Sequence, residues 1–60
     1  MLKMQDAKIG EDVIVKVKDC EVFNQIGEIW KVTNYWGEVK VSVSFDGQIY
    51  NFSLDDLVLA

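Results

Sequence analysis

The chain has sixty residues and a net charge of −4, from six lysines against ten carboxylates. That length allows one small domain, which buries only about 60% of the surface its unfolded form exposes. A single cysteine, Cys20, excludes an internal disulfide, and the lack of histidine leaves little to build a zinc site from, so stability must come from packing or from docking onto something larger.

Residues 1–8 carry no strand period and read as an N-terminal tail or a short turn of helix, with the domain proper at 9–60. From Asp12 to Lys18 the chain alternates, with Val13, Val15 and Val17 on one face, which predicts a half-buried strand. Residues 19–25, DCEVFNQ, break the pattern and predict a loop. A second strand is expected over Ile26–Thr33, although Ile29, Trp30 and Val32 cannot all share one face. Gly27 within it marks a bulge or a close approach of backbones. Asn34, Tyr35, Trp36 and Gly37 supply the next turn.

Glu38–Phe45 is the clearest element: Val39, Val41, Val43 and Phe45 point one way, Glu38, Lys40, Ser42 and Ser44 the other. Asp46-Gly47 follows at once and predicts a type I′ hairpin turn, which needs positive φ at both positions. Gln48–Phe52 is the return strand. Ser53 and Asp56 have capping-box spacing, so a single helical or 3₁₀ turn should carry Leu54 and Leu57 to the core before a last strand at Val58–Ala60. Five short strands with tight turns predict an all-β fold, a small five-stranded SH3-like barrel with a short 3₁₀ or helical turn before the last strand. Its core should hold Val13, Val15, Val41, Val43, Phe45, Phe52, Leu54 and Leu57.

The usual nucleophile–base pairs of enzymes are missing. Cys20 and the serines have no histidine to activate them, and adjacent Asp55 and Asp56 are explained by the cap. The glycines, at 10, 27, 37 and 47, are spaced as turns rather than as a phosphate-binding loop. The expectation is a non-catalytic protein without a cofactor. Cys20 reads as a free surface thiol in a reducing compartment.

Seven aromatic residues are many for so small a core. Phe45 and Phe52 fit inside by alternation, whereas Phe23, Trp30, Tyr35, Trp36 and Tyr50 do not all fit and are the candidate partner-binding residues. The first loop and the hairpin at Tyr35-Trp36 are expected to lie side by side. Phe23, Tyr35 and Trp36 would then ring a shallow groove rimmed by Asp19, Glu21 and Glu38. The competing reading places Trp30 and Trp36 across an open barrel end as a lid.

Two stretches resemble a known family. EVFNQIGEI at 21–29 is similar to the aromatic-Phe-Asn-acidic-Val-Gly-Thr-Val segment of the photosystem I reaction centre subunit IV (PsaE) family, and NFSLDDL at 51–57 to its Asn-Phe-Ala-Leu-x-Glu-Val ending. Gly10, Val13 and Val15 match its opening Gly-x-x-Val-x-Val, and VSVSF at 41–45 its Val-x-Val-x-Phe strand. Where the family carries Arg-Pro-Glu-Ser after its first strand, this chain reads Lys18-Asp19-Cys20-Glu21. The resemblance implies a five-stranded SH3-like barrel and a cofactor-free accessory subunit. Family members bind the stromal or cytoplasmic face of photosystem I and assist ferredoxin docking.

The leading expectation is therefore a protein-binding accessory subunit or adaptor on a larger complex, for which a photosynthetic electron-transfer complex is one candidate. One alternative is an RNA-binding KOW or SH3-like barrel, with Lys16, Lys18, Lys31 and Lys40 in one patch; the absence of arginine and the acidic charge weigh against nucleic acid. The other is a small acidic inhibitor of a host protein, for which a viral origin is one candidate. No run approaches the ~20 apolar residues of a membrane span, and the first residues lack a signal-peptide core. A soluble, cytoplasmic protein, peripheral on a membrane complex at most, is expected.

Overall fold

A computed structural model describes the whole chain, Met1–Ala60. Its five strands are β1 (Asp12–Val15), β2 (Ile26–Tyr35), β3 (Glu38–Phe45), β4 (Gln48–Phe52) and β5 (Leu57–Leu59). All pair antiparallel in one sheet of order β4-β3-β2-β1-β5, and a 3₁₀ turn at Leu54–Asp56 precedes the last strand. This is the small all-β, SH3-like arrangement expected. One sheet can enclose a core only by curling over it, and the inward side chains of β1, β2, β3, β4 and β5 do converge on one buried cluster.

The two hairpin turns have the same local cause. Asp46 and Gly47 have φ of 50° and 89°, the type I′ signature. Trp36 and Gly37 have φ of 55° and 81°, so the β2–β3 turn is of the same kind but carries a tryptophan where Asn or Gly is usual. Tyr35 belongs to β2 rather than to the turn. At the other end of the chain, the Asp56 carboxylate accepts from both the N–H (3.1 Å) and the hydroxyl (3.0 Å) of Ser53, which holds the 3₁₀ turn.

The core contains Val13, Val15, Val41, Val43, Phe52 and Leu57 as expected. Phe45 and Leu54 are only half-buried, packed on its margin. Three core residues were not anticipated: Leu2, Val22 and Ile29. Leu2 is 1% exposed, and its N–H donates to the Leu54 carbonyl at 3.0 Å. Residues 1–8 are therefore no loose tail. They lay Leu2 into the core and then form a 3₁₀ turn at Met4–Asp6.

Strand β1 ends at Val15, earlier than the alternation to Lys18 suggests. The reason lies in its partners. Val15 exchanges backbone hydrogen bonds with Asn24 and Gln25, and the Lys16 N–H donates to the Asp56 carbonyl at 2.7 Å, which turns the chain out of the ladder. The loop that follows is a run of turns closed by Cys20→Val17, Phe23→Cys20 and Gln25→Val22 backbone bonds, with Val22 as its plug into the core. Cys20 is a free thiol as expected, but half-buried against that core rather than fully at the surface.

Candidate functional surface

Side chains directly paired across antiparallel strands share a face of the sheet. Tyr35 pairs with Glu38, Thr33 with Lys40, Lys31 with Ser42 and Ser42 in turn with Asn51, while Glu28, Ser44 and Ile49 form the next row. These rows make up the outward face of β2, β3 and β4. Trp30 joins them by a different route. The register slips between Ile29, opposite Val43, and Lys31, opposite Ser42, which leaves Trp30 as the extra residue of a β-bulge. Alternation alone puts Ile29 in the core and Trp30 outward, 58% exposed; the bulge adds Lys31 to the outward face and so turns Val32 back to the core beside Ile29. It resolves the clash of Ile29, Trp30 and Val32 seen in the sequence, and it falls at Trp30 rather than at Gly27.

The outward face holds a shallow groove of about 510 Å³. Trp30 and Ile49 form its apolar walls, and Lys31 and Lys40 bring positive charge to it. On its floor the Ser42 hydroxyl donates to Asn51 Oδ1 at 2.6 Å, so the polar pair at the groove's base is satisfied internally. Lys40 is paired with Glu38 at 3.3 Å on the exposed surface, whereas Lys31 has no ion-pair partner. Further along the same face Tyr35 is 69% exposed, and Trp36, at the hairpin tip, 96%. Neither tryptophan is a lid over the barrel: both are exposed to solvent.

The five aromatic candidates do not form one site. Phe23 lies in the loop entering β2, and Tyr35 and Trp36 lie at the opposite end of that ten-residue strand. The strand between them runs along much of a molecule 28 Å long, so the three-ring groove drawn from the sequence is not assembled. The first loop sits instead beside the β3–β4 hairpin, where Glu21 and Val22 line a second cleft with Phe45, Asp46 and Tyr50. Tyr50 faces that cleft, on the other side of β4 from Ile49. Its hydroxyl is held above the usual phenol range, first by partial desolvation and then by the Glu21 carboxylate, through its charge and the hydrogen bond it accepts, with Cys20 adding a little. Lys31 and Lys40 of the expected basic patch do share the outward groove, whereas Ile49 is a surface contributor that sequence reading does not single out. The alternation of β4 held the signal for Ile49, but only pairing with β3 turns it toward Trp30.

No three His, Cys, Asp or Glu side chains gather into a metal-binding group, and no helix is long and apolar enough to cross a membrane. Comparison with protein-family models, with curated proteins and with solved structures gives no match for this chain.

Proposed function

We propose that this chain is a non-catalytic protein-binding domain, an accessory subunit or adaptor that docks on a larger assembly through the outward face of β2, β3 and β4. The observation that carries the reading is Trp36. A bulky side chain at φ 55° costs local stability, roughly 1–2 kcal/mol, where Asn or Gly would cost far less. That residue is also the most exposed aromatic of the chain. A strained, solvent-exposed tryptophan is hard to explain by folding and easy to explain as an interface anchor. Trp30, facing outward beside the bulge, with Ile49 and Tyr35, extends the same surface. Exposed aromatics of this size on so small a domain favour a partner that covers them.

The resemblance of residues 21–29 and 51–57 to motifs of the photosystem I subunit IV family, which rests on the sequence alone, makes a photosynthetic electron-transfer complex the assembly to test first. Affinity capture from extract, with folded Trp36→Asn and Trp30→Ser variants in parallel, tests the reading. One assembly retained by the native chain and lost by both variants is expected. An identical retained set for all three chains overturns it.

RNA binding has one observation in its favour, because Lys31 and Lys40 flank Trp30 in a single groove. The net charge of −4 and the few cations oppose it. Tight RNA binding that falls steeply with added salt would replace the protein-docking reading with this one.

A further inference from the structure

The cleft on the other side of β4 has the opposite chemistry to the outward groove. It lies between the first loop and the β3–β4 hairpin, with a volume of about 350 Å³. Its aromatic wall is built from Phe45 and Tyr50, edge to face with centroids 5.7 Å apart and planes at 82°. Tyr50 is in turn stacked against Phe52 at 6.3 Å and 16°, which fixes its ring. Glu21, Gln25, Asp46 and Gln48 complete the lining, and no lysine takes part.

The hydrogen-bonding capacity of this cleft is mostly unused acceptance. The Tyr50 hydroxyl has one proton, set between Glu21 Oε2 at 3.3 Å and Gln48 Oε1 at 3.4 Å. The remaining carboxylate lone pairs of Glu21 and both oxygens of Asp46 have no side-chain donor within the chain. Neither residue has a cationic partner, since the only salt bridge of the molecule is Lys40–Glu38. A cleft with an aromatic wall and two unpaired carboxylates is complementary to a group that is flat, permanently positive and made only of donors.

We propose that this cleft receives an arginine side chain of a protein partner, its guanidinium against the Phe45–Tyr50 wall and its N–H donors directed to Glu21 and Asp46. Guanidinium has five donors and no acceptor, is less strongly hydrated than an ammonium, and stacks on aromatic rings. A lysine head offers a compact, well-hydrated point charge that cannot stack on either ring. The net charge of −4 favours encounter with a basic partner. This inference does not rest on the Trp36 surface: β4 sends Ile49 and Asn51 to the outward groove, and Gln48 and Tyr50 to the cleft.

The test is an NMR titration of the isotope-labelled full chain with three blocked peptides, identical except for a central arginine, lysine or citrulline between glycine and serine residues. The arginine peptide should shift the Tyr50 ring and the Gln25 and Gln48 side-chain amides, and bind roughly tenfold tighter than citrulline. In the Glu21→Gln/Asp46→Asn double variant that advantage should vanish. The variant should remain folded, because both carboxylates are exposed and Asn tolerates the positive φ of residue 46. Equal binding of arginine and citrulline peptides, or an unaffected double variant, overturns the proposal. Lysine binding as tightly as arginine overturns the assignment to a guanidinium. Trp36→Asn should leave this titration unchanged, so the cleft and the outward surface stand or fall separately.

Discussion

Gly27 lies against Val43 with no room for a side chain between them: a Cβ built on Gly27 would stand 2.5 Å from Val43 Cγ1, and 2.6 and 2.7 Å from two ring carbons of Phe45. The space a side chain would take at Gly27 is filled by the Val43 and Phe45 side chains, which pack over its backbone. The glycine is needed for this contact and not for its torsion angle, since its φ is not positive.

Gly27→Ala should therefore destabilise the domain by about 1–3 kcal/mol, as inserted methyl groups do in packed cores. For a domain of this size each kcal/mol lowers Tm by roughly 4–8 °C. Thermal unfolding followed by circular dichroism checks it, and an unchanged Tm would show that Val43 and Phe45 can move aside.

Leu2→Ala should cost ~2–5 kcal/mol, because it empties a fully buried position. Removing residues 1–8 should be at least as damaging. Urea unfolding of the two variants is the measurement. A truncated chain as stable as the full one would mean that Leu2 is a passenger on the barrel.

The two phenylalanines of the β3–β4 hairpin should separate. Phe52→Ala should cost ~3–5 kcal/mol as a core deletion, whereas Phe45→Ala should cost less, because its ring stands half-buried at the cleft. Equal losses in a denaturant series would place Phe45 in the core after all.

Trp36→Asn should raise stability by up to ~1 kcal/mol, since Asn accepts the positive φ that tryptophan resists. The same change should weaken partner binding by ~30-fold or more, as loss of an interface anchor worth at least ~2 kcal/mol does. A variant that melts lower, or binds as well as the native chain, speaks against an anchor at this tip.

Tyr50 gives the pH dependence its sign. Desolvation and the Glu21 carboxylate hold its hydroxyl above the usual phenol range, so the folded chain keeps this proton where the unfolded chain releases it. The stability it contributes is complete below pH 10 and is lost as pH rises through the folded value. Tyr50→Phe should flatten the alkaline fall in Tm, and Glu21→Gln should reduce it. An alkaline limb identical in all three chains would put the effect elsewhere.

The sequence by itself determined the strands with clean alternation and the turn chemistry between them. Val39 to Phe45 announces an inward and an outward face, Asp46-Gly47 a type I′ turn, and Ser53 with Asp56 a capped turn before β5. These are local properties, fixed by the two-residue side-chain period and by which residues accept positive φ or cap a turn. Tertiary structure alone decided the rest. Whether Val32 can join Ile29 on the inner face depends on a bulge that exists only when β2 pairs with β3, and Gly27 acquires its meaning only under Val43. Leu2 is buried because the N-terminus returns to Leu54, fifty-two residues later in the chain. Phe23 and Trp36 part company because the strand between them is long and the first loop stays at its near end. Alternation records which face a side chain takes within its own strand; it holds no record of which distant segment will meet that face, and a binding surface is made of such meetings.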